Sequence, residues 1–436
     1  MSEIILNDEQ NRVLDIMIGG NNVFLTGAAG TGKSEIIKHF KRYCLTHNKY
    51  TGITSTTGVS AYVIGGQTLH SYLGIGIGKG DIKTIFEKII NKGKIDVWKS
   101  LDVLIIDEIS MLTPELFDKL EQIARSIRNC DKPFGGIQII ASGDFCQLPP
   151  INSDYQCFDA ESWLECFPYV FYLRKIMRQE DRVFQETLSK IRVGIIDDEV
   201  KKVLNKRIGA DIIMPKLIKP TRLYPFKKNV REHNRIMLIQ LKNKLKKIDS
   251  LKNHKISHIY SRKFTFIENT NTKSEITAPN LEYYEKKFED YVSVEFTIGC
   301  QVMLTYNVDV TGGLTNGSRG VILRFEKKDN GFLPVVRWMN NRETLVRIIT
   351  GNFKAKDGNI HYSYLPLLPA YAISIHKSQA VSLDCVEMDL KELFSYGQGY
   401  VALSRVRTLD GLKILNIDYE TIKADPRCVE FYSKIK

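Results

Sequence analysis

The stretch GAAGTGKS, residues 27–34, constrains this chain more than any other, because it fits the pattern GxxxxGK[ST] between a strand-like and a helix-like segment. A glycine-rich loop there can wrap phosphates with backbone N–H groups, and the following helix N-terminus adds a favourable dipole. We expect Lys33 to neutralise the β- and γ-phosphates and the Ser34 hydroxyl to ligate Mg²⁺. The predicted nucleotide-binding residues are Gly27, Ala28, Ala29, Gly30, Thr31, Gly32, Lys33 and Ser34.

Two acidic residues and an amide follow later strand-like segments. Asp107 and Glu108 end the run VLIIDE, and Gln147 lies in ASGDFCQLPP. Beside a phosphate-binding loop, we expect Asp107 to hold Mg²⁺ through water and Glu108 to orient and deprotonate an attacking water. Gln147 suits a γ-phosphate sensor, since an amide can donate to phosphate in one state and rearrange in the next. The alternative for the acids is that they only cap a strand.

Two arginines in the second half of the chain are candidates for catalysis. Arg178 lies in KIMRQ and Arg405 in YVALSRVR, each beside apolar residues. Hydrolysis at a loop of this kind needs positive charge at the γ-phosphate in the transition state, and an arginine from elsewhere in the chain often supplies it. The alternative for each arginine is a structural salt bridge.

The overall charge indicates a polyanionic partner. The chain has 436 residues and a net charge of +12, which favours nucleic acid over a membrane surface, although a merely basic protein remains the alternative. The eight cysteines form no CxxC pair, so neither a zinc ribbon nor a disulfide framework is expected. Neither a secretory signal nor an apolar run of ~18 residues is apparent, and we expect no membrane partner. We expect an intracellular protein, and the sequence leaves open a cytoplasmic or a viral or nuclear replication compartment.

The alternation of strand-like and helix-like segments predicts two α/β lobes. NNVFLTG, DVLIIDE and IQIIASGD indicate buried parallel strands alternating with helices. Residues 216–273 contain 16 Lys and Arg against 3 Asp and Glu, with a helix-like leucine spacing inside them. Residues 292–349 consist of short strands with Gly and Asn turns, which indicates a small barrel or meander.

The order of GAAGTGKS, DEIS, GDFCQLPP, RQ, HKSQ and YVALSR resembles that of a superfamily 1 helicase. Residues 118–138, DKLEQIARSIRNCDKPFGGIQ, are similar to the signature of the petite-integration-frequency (PIF) family in group B of that superfamily. Phage Dda and RecD-type helicases are more distant in likeness. The resemblance extends from Gln10 to about Leu412.

The resemblance implies an α/β fold of two RecA-like P-loop lobes. ATP would lie between them, with a small wedge insertion in the first lobe and a β-barrel-like insertion in the second. Single-stranded DNA would cross both lobes, and movement would run 5′ to 3′. The implied boundaries are 1–170 for the first lobe with a hairpin-like wedge at about 73–98, 171–228 and 365–436 for the second lobe, and 229–364 for the inserted basic and β-rich subdomain.

The resemblance also assigns roles to individual residues. Gln10 would read adenine, and Arg178 and Arg405 would close on the γ-phosphate from the second lobe. Phe134 is a candidate exposed aromatic for base stacking, and the alternative is a core position, which is commoner for an isolated Phe. The implied DNA-path residues are Thr57, His70, Ser71, Phe134, Gly135 and Gly136 in the first lobe, and His376, Lys377 and Gln379 in the second.

Two departures from the family pattern stand out. TSTTGVSA lacks the usual proline, and Ala380 replaces the usual glycine. We expect Ala380 to follow a short helix that ends near Gln379 and to avoid the left-handed backbone region.

The resemblance predicts an ATP-dependent DNA helicase that works as a monomer on single-stranded and on forked or tailed duplex DNA, with no small-molecule substrate other than ATP. Three alternatives remain open at this stage. They are a translocase that does not separate strands or that prefers RNA, a nucleotide-gated DNA-binding module, and a small-molecule kinase. The motifs of the second half count against the kinase, which would need only one lobe.

Overall fold

The structure is a computed structural model. It describes residues 6–435 except 58–59, 62–63, 151–152, 180, 213–217, 248–256, 262, 269–272, 275–292, 307, 310–313, 315–316, 329–330, 356–357, 380 and 384. Ala380, and with it the expectation about its backbone, therefore lies outside the described residues.

The described helices alternate with strands over the first half of the chain. The helices are α1 (Asp8–Ile18), α2 (Lys33–Thr46), α3 (Leu69–Tyr72), α4 (Ile82–Asn91), α5 (Ile95–Ser100), α6 (Pro114–Arg128), α7 (Trp163–Cys166), α8 (Arg182–Arg192), α9 (Asp198–Asn205), α10 (Lys227–Lys246), α11 (Gln398–Leu403) and α12 (Pro426–Ser433). Among the described residues, no helix combines the length and the apolar character that crossing a membrane requires.

Between residues 257 and 374 the described strands follow one another without an intervening α-helix. The described strands of the whole chain are β1 (Val23–Gly27), β2 (Thr51–Ser55), β3 (Gln67–Thr68), β4 (Val103–Asp107), β5 (Gln138–Gly143), β6 (Tyr169–Leu173), β7 (Thr221–Tyr224), β8 (Ser257–Ser261), β9 (Lys263–Glu268), β10 (Lys273–Ser274), β11 (Ser293–Thr297), β12 (Gln301–Leu304), β13 (Arg319–Lys328), β14 (Gly331–Trp338), β15 (Glu343–Leu345), β16 (Ile349–Ala355), β17 (Gly358–Tyr364), β18 (Leu367–Pro369), β19 (Ala372–Ser374), β20 (Val386–Leu390) and β21 (Leu412–Ile417).

The chain divides into two compact units, residues 1–213 with 374–436 and residues 214–373. The first unit contains a six-stranded parallel sheet in the order β3-β2-β4-β5-β1-β6. The first unit also contains the parallel pair β20 and β21. The three strands expected from the sequence are confirmed as β1, β4 and β5, and every residue in them is buried.

Both faces of the six-stranded sheet are covered, which explains why its central strands are apolar throughout. On one face, α1 and α2 pack Met17 and Phe40 against Leu25 and Ile105. The other face carries an aromatic cluster that includes Phe24, Phe117, Phe134 and Trp163. The core therefore fixes the carboxyl ends of the strands, and these ends carry the predicted site residues.

The predicted wedge segment is helical and contains no hairpin. The spacing of Ile82, Ile85 and Ile89 is that of an amphipathic helix, and α4 and α5 bury Ile85, Ile89 and Trp98 in the core of the first unit. Residues 82–91 and 95–100 are helical, so they supply no pair of strands from which a hairpin could form. The expected hairpin is wrong for this reason, and the role of the segment as a wedge stays a prediction.

The second unit has antiparallel sheets, in line with the short strands expected for residues 292–349. The sheets run β15-β14-β13-β12-β18, β10-β9-β17-β16 and β11-β8. The basic helix expected from the leucine spacing is confirmed as α10, and its Leu238 and Leu241 pack partly against the core around Val302 and Trp338.

Candidate nucleotide site

The phosphate-binding loop lies between β1 and α2, and other segments pack tightly against it. Gly32 has φ +88°, and a Cβ on it would lie 2.5 Å from Gln10 Nε2. Gln10 is only 5% exposed and donates from Nε2 to the Thr31 carbonyl at 3.3 Å, while its Oε1 accepts from Asn7 N at 3.1 Å. Gln10 thus anchors α1 to the loop, and its role as an adenine reader stays a prediction.

Lys33 lies at the first position of α2 among several charged groups. Its Nζ donates to the carbonyl oxygens of Gly27 at 2.7 Å and Ala28 at 3.0 Å. Burial lowers the pKa of Lys33, whereas the carboxylates of Asp144 and Glu108 act in the opposite direction. The ammonium thus lies partly buried at the phosphate-binding loop, where its attraction for a phosphate oxygen is stronger than in bulk water.

The two predicted acidic residues lie together at the carboxyl end of β4. Asp107 is 5% exposed and accepts a hydrogen bond from the Ser142 hydroxyl on β5. Burial and the adjacent Glu108 carboxylate raise the pKa of Asp107 to about 7. Glu108 has a left-handed backbone with φ 54°, which is uncommon outside glycine and ends the strand at this point.

The two predicted arginines reach the same site from different parts of the chain. Arg405 is 1% exposed and donates from Nε to the Val401 carbonyl at 2.8 Å and from Nη2 to Ser404 Oγ at 2.7 Å. Arg178 Nη1 donates to the Ser404 carbonyl at 3.3 Å. Burial and the nearby Arg178 lower the pKa of Arg405. Two cations held close together in a shielded position form a receptor for an anion.

These residues surround one cavity of about 610 Å³ in the first unit. Its lining includes the predicted residues Ala29, Gly30, Thr31, Gly32, Lys33, Ser34, Asp107, Glu108, Gln147, Arg178 and Arg405. The structure therefore brings all five predicted catalytic residues to a single cavity. Its volume lies within the range of sites for small molecules and cofactors, about 300–1,000 Å³.

Tyr400 and Gln179, to which the sequence motifs assign no role, help to hold the loop and the two arginine segments together. The buried Tyr400 hydroxyl accepts from the backbone N–H of Ala29 at 2.8 Å. Gln179 Nε2 donates to the Val406 carbonyl at 3.2 Å, and Met177 N donates to the Gly30 carbonyl at 2.8 Å. The motifs YVALSR and KIMRQ contain these residues, but neither motif says which side chain meets the loop.

Gln147 is held through an unusually close approach of two backbones. Gln147 is 5% exposed, lines the cavity, and has a buried Oε1 without a hydrogen-bond partner among the described residues. A Cβ on Gly397, which has φ +69°, would lie 2.2 Å from the Gln147 carbonyl oxygen and 2.5 Å from that of Cys146. Gly397 is also the residue directly before α11, which leads to Arg405.

Gly397→Ala is expected to displace Gln147 or α11. We expect it to destabilise the protein by about 3 kcal/mol, from left-handed strain together with the steric overlap, and to lower kcat for ATP hydrolysis at least about tenfold. The matched control is Gly93→Ala, because Gly93 has φ +62° but no neighbour within 4 Å of the added Cβ. Urea unfolding and steady-state kinetics measure both effects, and equal behaviour of the two variants would contradict this assignment.

The predicted DNA-path residues of the first lobe fall into two groups. Thr57 follows β2, and His70 and Ser71 lie on α3 directly after β3, so these three share the carboxyl edge of the sheet. Burial lowers the pKa of His70, and Lys92 adds to the effect. Residues 133–136 directly precede β5 and therefore lie at the opposite edge.

The expected exposure of Phe134 is wrong. Its ring is fully buried and packs edge-on against Phe117 with centroids 5.3 Å apart. The backbone of residues 134–136 is left-handed, and Arg128 Nε donates to the Gly135 carbonyl at 2.7 Å. The Glu121 carboxylate accepts from Phe134 N at 3.1 Å. The signature segment therefore holds its own turn in place, and DNA contact by Gly135 or Gly136 stays a prediction.

The HKSQ segment connects the surface with the nucleotide site. His376–Ser378 form a 3₁₀ turn that ends at Gln379, as expected for a short helix. His376 is partly exposed and stacks on Phe394 with centroids 5.9 Å apart. Gln379 is 3% exposed, and its Nε2 donates to Glu108 Oε2 at 3.2 Å. The structure thus places Gln379 beside the carboxylate of Glu108. Its expected contact with DNA stays a prediction, as do those of His376 and Lys377.

Comparison with known proteins yields one family. Residues 5–202 match the family of PIF1-like helicases, and residues 294–325 match the 2B domain of DNA helicase Pif1. The chain is 38% identical over 444 residues to the ATP-dependent DNA helicase PIF1 of Xenopus laevis, covering 100% of this chain and 65% of that protein. The chain thus spans about two thirds of the length of that relative.

Solved structures agree with this result. The Pif1 helicase from Candida albicans superimposes with a TM-score of 0.88 at 31% identity, covering 99% of this chain and 100% of the other. Bacteroides Pif1 bound to single-stranded DNA gives a TM-score of 0.73 at 25% identity, with coverages of 99% and 97%. With the sequence matches, these likenesses establish that the chain belongs to the PIF1-like helicase family.

Proposed function

We propose that this chain is an ATP-dependent DNA helicase that moves 5′ to 3′ along single-stranded DNA and unwinds duplex DNA in replication, repair or recombination. One observation carries the proposal: Lys33, Glu108, Gln147, Arg178 and Arg405 converge on one cavity although they come from widely separated segments. Family membership supports DNA as the polymer. The direction of movement and a monomeric state rest on the family resemblance alone.

The geometry supports a definite division of work in hydrolysis. Lys33 binds the β- and γ-phosphates at the loop, and the Glu108 carboxylate accepts the proton of the attacking water. Arg178 and Arg405 stabilise the charge that develops on the γ-phosphate oxygens. Gln147 lines the cavity that the arginines share, where its amide nitrogen can donate to a γ-phosphate oxygen and so register whether that phosphate is present.

The residues present fit a magnesium ion. Mg²⁺ prefers oxygen ligands, and the Ser34 hydroxyl and the Asp107 carboxylate line the same cavity. Burial and the adjacent Glu108 carboxylate raise the pKa of Asp107, and a divalent cation would favour the charged carboxylate against both effects. When bound, the ion would neutralise phosphate charge, with Ser34 holding it directly and Asp107 through water.

The HKSQ turn links the residues that we propose contact DNA with the carboxylate that we propose acts in hydrolysis. We propose that His376 and Lys377 face DNA. Gln379 follows them by three and two residues, and its Nε2 donates to Glu108 Oε2 at 3.2 Å. A shift of this turn on DNA binding would reposition the catalytic carboxylate. DNA should therefore act mainly on the hydrolytic step.

The test is ATP hydrolysis with and without single-stranded DNA. We expect at least tenfold stimulation by DNA, weaker stimulation by RNA of the same sequence, and no hydrolysis by Lys33→Ala, which should still bind DNA. Stimulation by RNA alone would favour an RNA translocase. No stimulation by either polymer would contradict the proposed function.

A further inference from the structure

A buried ion pair next to the nucleotide site has no part in the mechanism above. Asp144 follows β5 and is 0% exposed, and Arg192, the last residue of α8, is 4% exposed. Arg192 Nη2 lies 2.8 Å from Asp144 Oδ1, and its Nε lies 3.2 and 3.1 Å from Oδ1 and Oδ2. The guanidinium thus binds both carboxylate oxygens from one side.

Aromatic residues enclose the pair and tie it to the loop-bearing strand. The Arg192 guanidinium lies 4.3 Å from the centre of the Tyr432 ring and donates to the Tyr172 hydroxyl at 3.0 Å. The Tyr432 hydroxyl accepts from Phe145 N at 2.9 Å and lies 2.7 Å from Thr26 Oγ1. Thr26 is the residue before Gly27, so the pair is connected through Tyr432 to the start of the phosphate-binding loop.

Lys33 lies close to the pair because of the register of β1 and β5. Thr26 pairs with Gly143, so Asp144 lies beside Gly27, whose carbonyl accepts from Lys33 Nζ at 2.7 Å. Burial alone would raise the pKa of Asp144, but Arg192 holds it below its ordinary value and keeps the carboxylate charged. A charged carboxylate so near the site would attract Lys33 and repel a polyphosphate if nothing offset it.

We propose that Arg192 is a positioning residue for nucleotide binding. Its guanidinium binds both oxygens of the Asp144 carboxylate, so that this carboxylate does not hold Lys33 and Lys33 remains available to the phosphates. Arg192 acts through Asp144 and does not itself touch the nucleotide. The inference deepens the proposed function and rests on it only for the identity of the nucleotide. It predicts that the two members of the pair affect ATP affinity in opposite directions, whereas a purely structural ion pair would weaken binding when either member is lost.

The experiment compares Arg192→Gln, Asp144→Asn and the neutral double variant with the wild type in the full chain. The probe is a ribose-labelled fluorescent ATP with Mg²⁺, titrated without DNA, so the result does not depend on helicase activity. We expect Arg192→Gln to bind at least tenfold more weakly, because it leaves an uncompensated carboxylate. Asp144→Asn should bind as tightly as the wild type or more tightly, and the double variant within threefold of the wild type.

Thermal unfolding of each variant separates binding from folding. Arg192→Gln leaves a buried carboxylate without its partner, so we expect it to be the least stable of the three variants. If it does not fold, Asp144→Asn decides the matter: unchanged or tighter binding supports the inference, and binding weakened by more than threefold overturns it. Equal weakening by both single variants, or no effect of a folded Arg192→Gln, also overturns it. ATP binding without DNA unwinding by the wild type would count against the proposed helicase and leave this inference standing.

Discussion

Arg405→Ala is expected to lower the DNA-stimulated kcat for ATP hydrolysis by about a thousandfold, the lower end of the effect of an arginine that stabilises phosphoryl transfer. The guanidinium is buried and fixed by the Val401 carbonyl at 2.8 Å and by Ser404 Oγ at 2.7 Å, so it is aimed into the cavity before the reaction begins. Charge placed in advance acts mainly on the transition state. Affinity for ATP should therefore change by much less than kcat.

Steady-state kinetics together with titration of fluorescent ATP measure the two quantities separately. Arg182→Ala is the control, because this arginine pairs only with Glu186 among the ion pairs described here and its side chain is 90% exposed. Circular dichroism checks that the folded state survives. Equal loss of affinity and kcat in Arg405→Ala would mean that Arg405 holds the ground state and has no special role in the transition state.

Glu108→Gln should lower kcat by at least about a hundredfold while leaving ATP affinity close to that of the wild type. The amide has nearly the same shape and still offers an oxygen to Gln379 Nε2, which now lies 3.2 Å from the carboxylate. It cannot, however, accept the proton of the attacking water. The loss should persist with saturating DNA, because DNA can reposition the side chain but cannot restore its basicity.

The matched control is Glu115→Gln, which makes the same change at an exposed position in the first turn of α6. Single-turnover hydrolysis measured with excess enzyme isolates the chemical step. If Glu108→Gln retained more than a tenth of the wild-type single-turnover rate, another group would have to be the base.

Local patterns were sufficient to predict the nucleotide site. The loop at 27–34, the acids after β4 and the amide after β5 each follow a short apolar run that indicates a buried strand, and parallel strands bring their carboxyl ends to one edge. The prediction that Arg178 and Arg405 both reach that edge rests on the family resemblance. No periodicity in the sequence connects residues so far apart.

The rest depends on tertiary contacts that local sequence does not encode. Phe134 stands alone between Pro133 and Gly135, so no pattern reveals that a left-handed turn directs its ring into the core. The bonds from Tyr432 to Thr26 and from Arg192 to Asp144 join residues 406 and 48 positions apart. The bond from Gln379 to Glu108 joins residues 271 positions apart, so the HKSQ motif gives no sign of it.

Strand displacement on tailed duplexes tests the central claim most directly. A labelled duplex with a 5′ single-stranded tail is compared with the same duplex carrying a 3′ tail, each with ATP and Mg²⁺. We predict ATP-dependent displacement from the 5′ tail, little or none from the 3′ tail, and none from either with Glu108→Gln. Displacement from the 3′ tail alone would contradict the direction of movement, and no displacement from either tail despite DNA-stimulated hydrolysis would contradict the helicase itself.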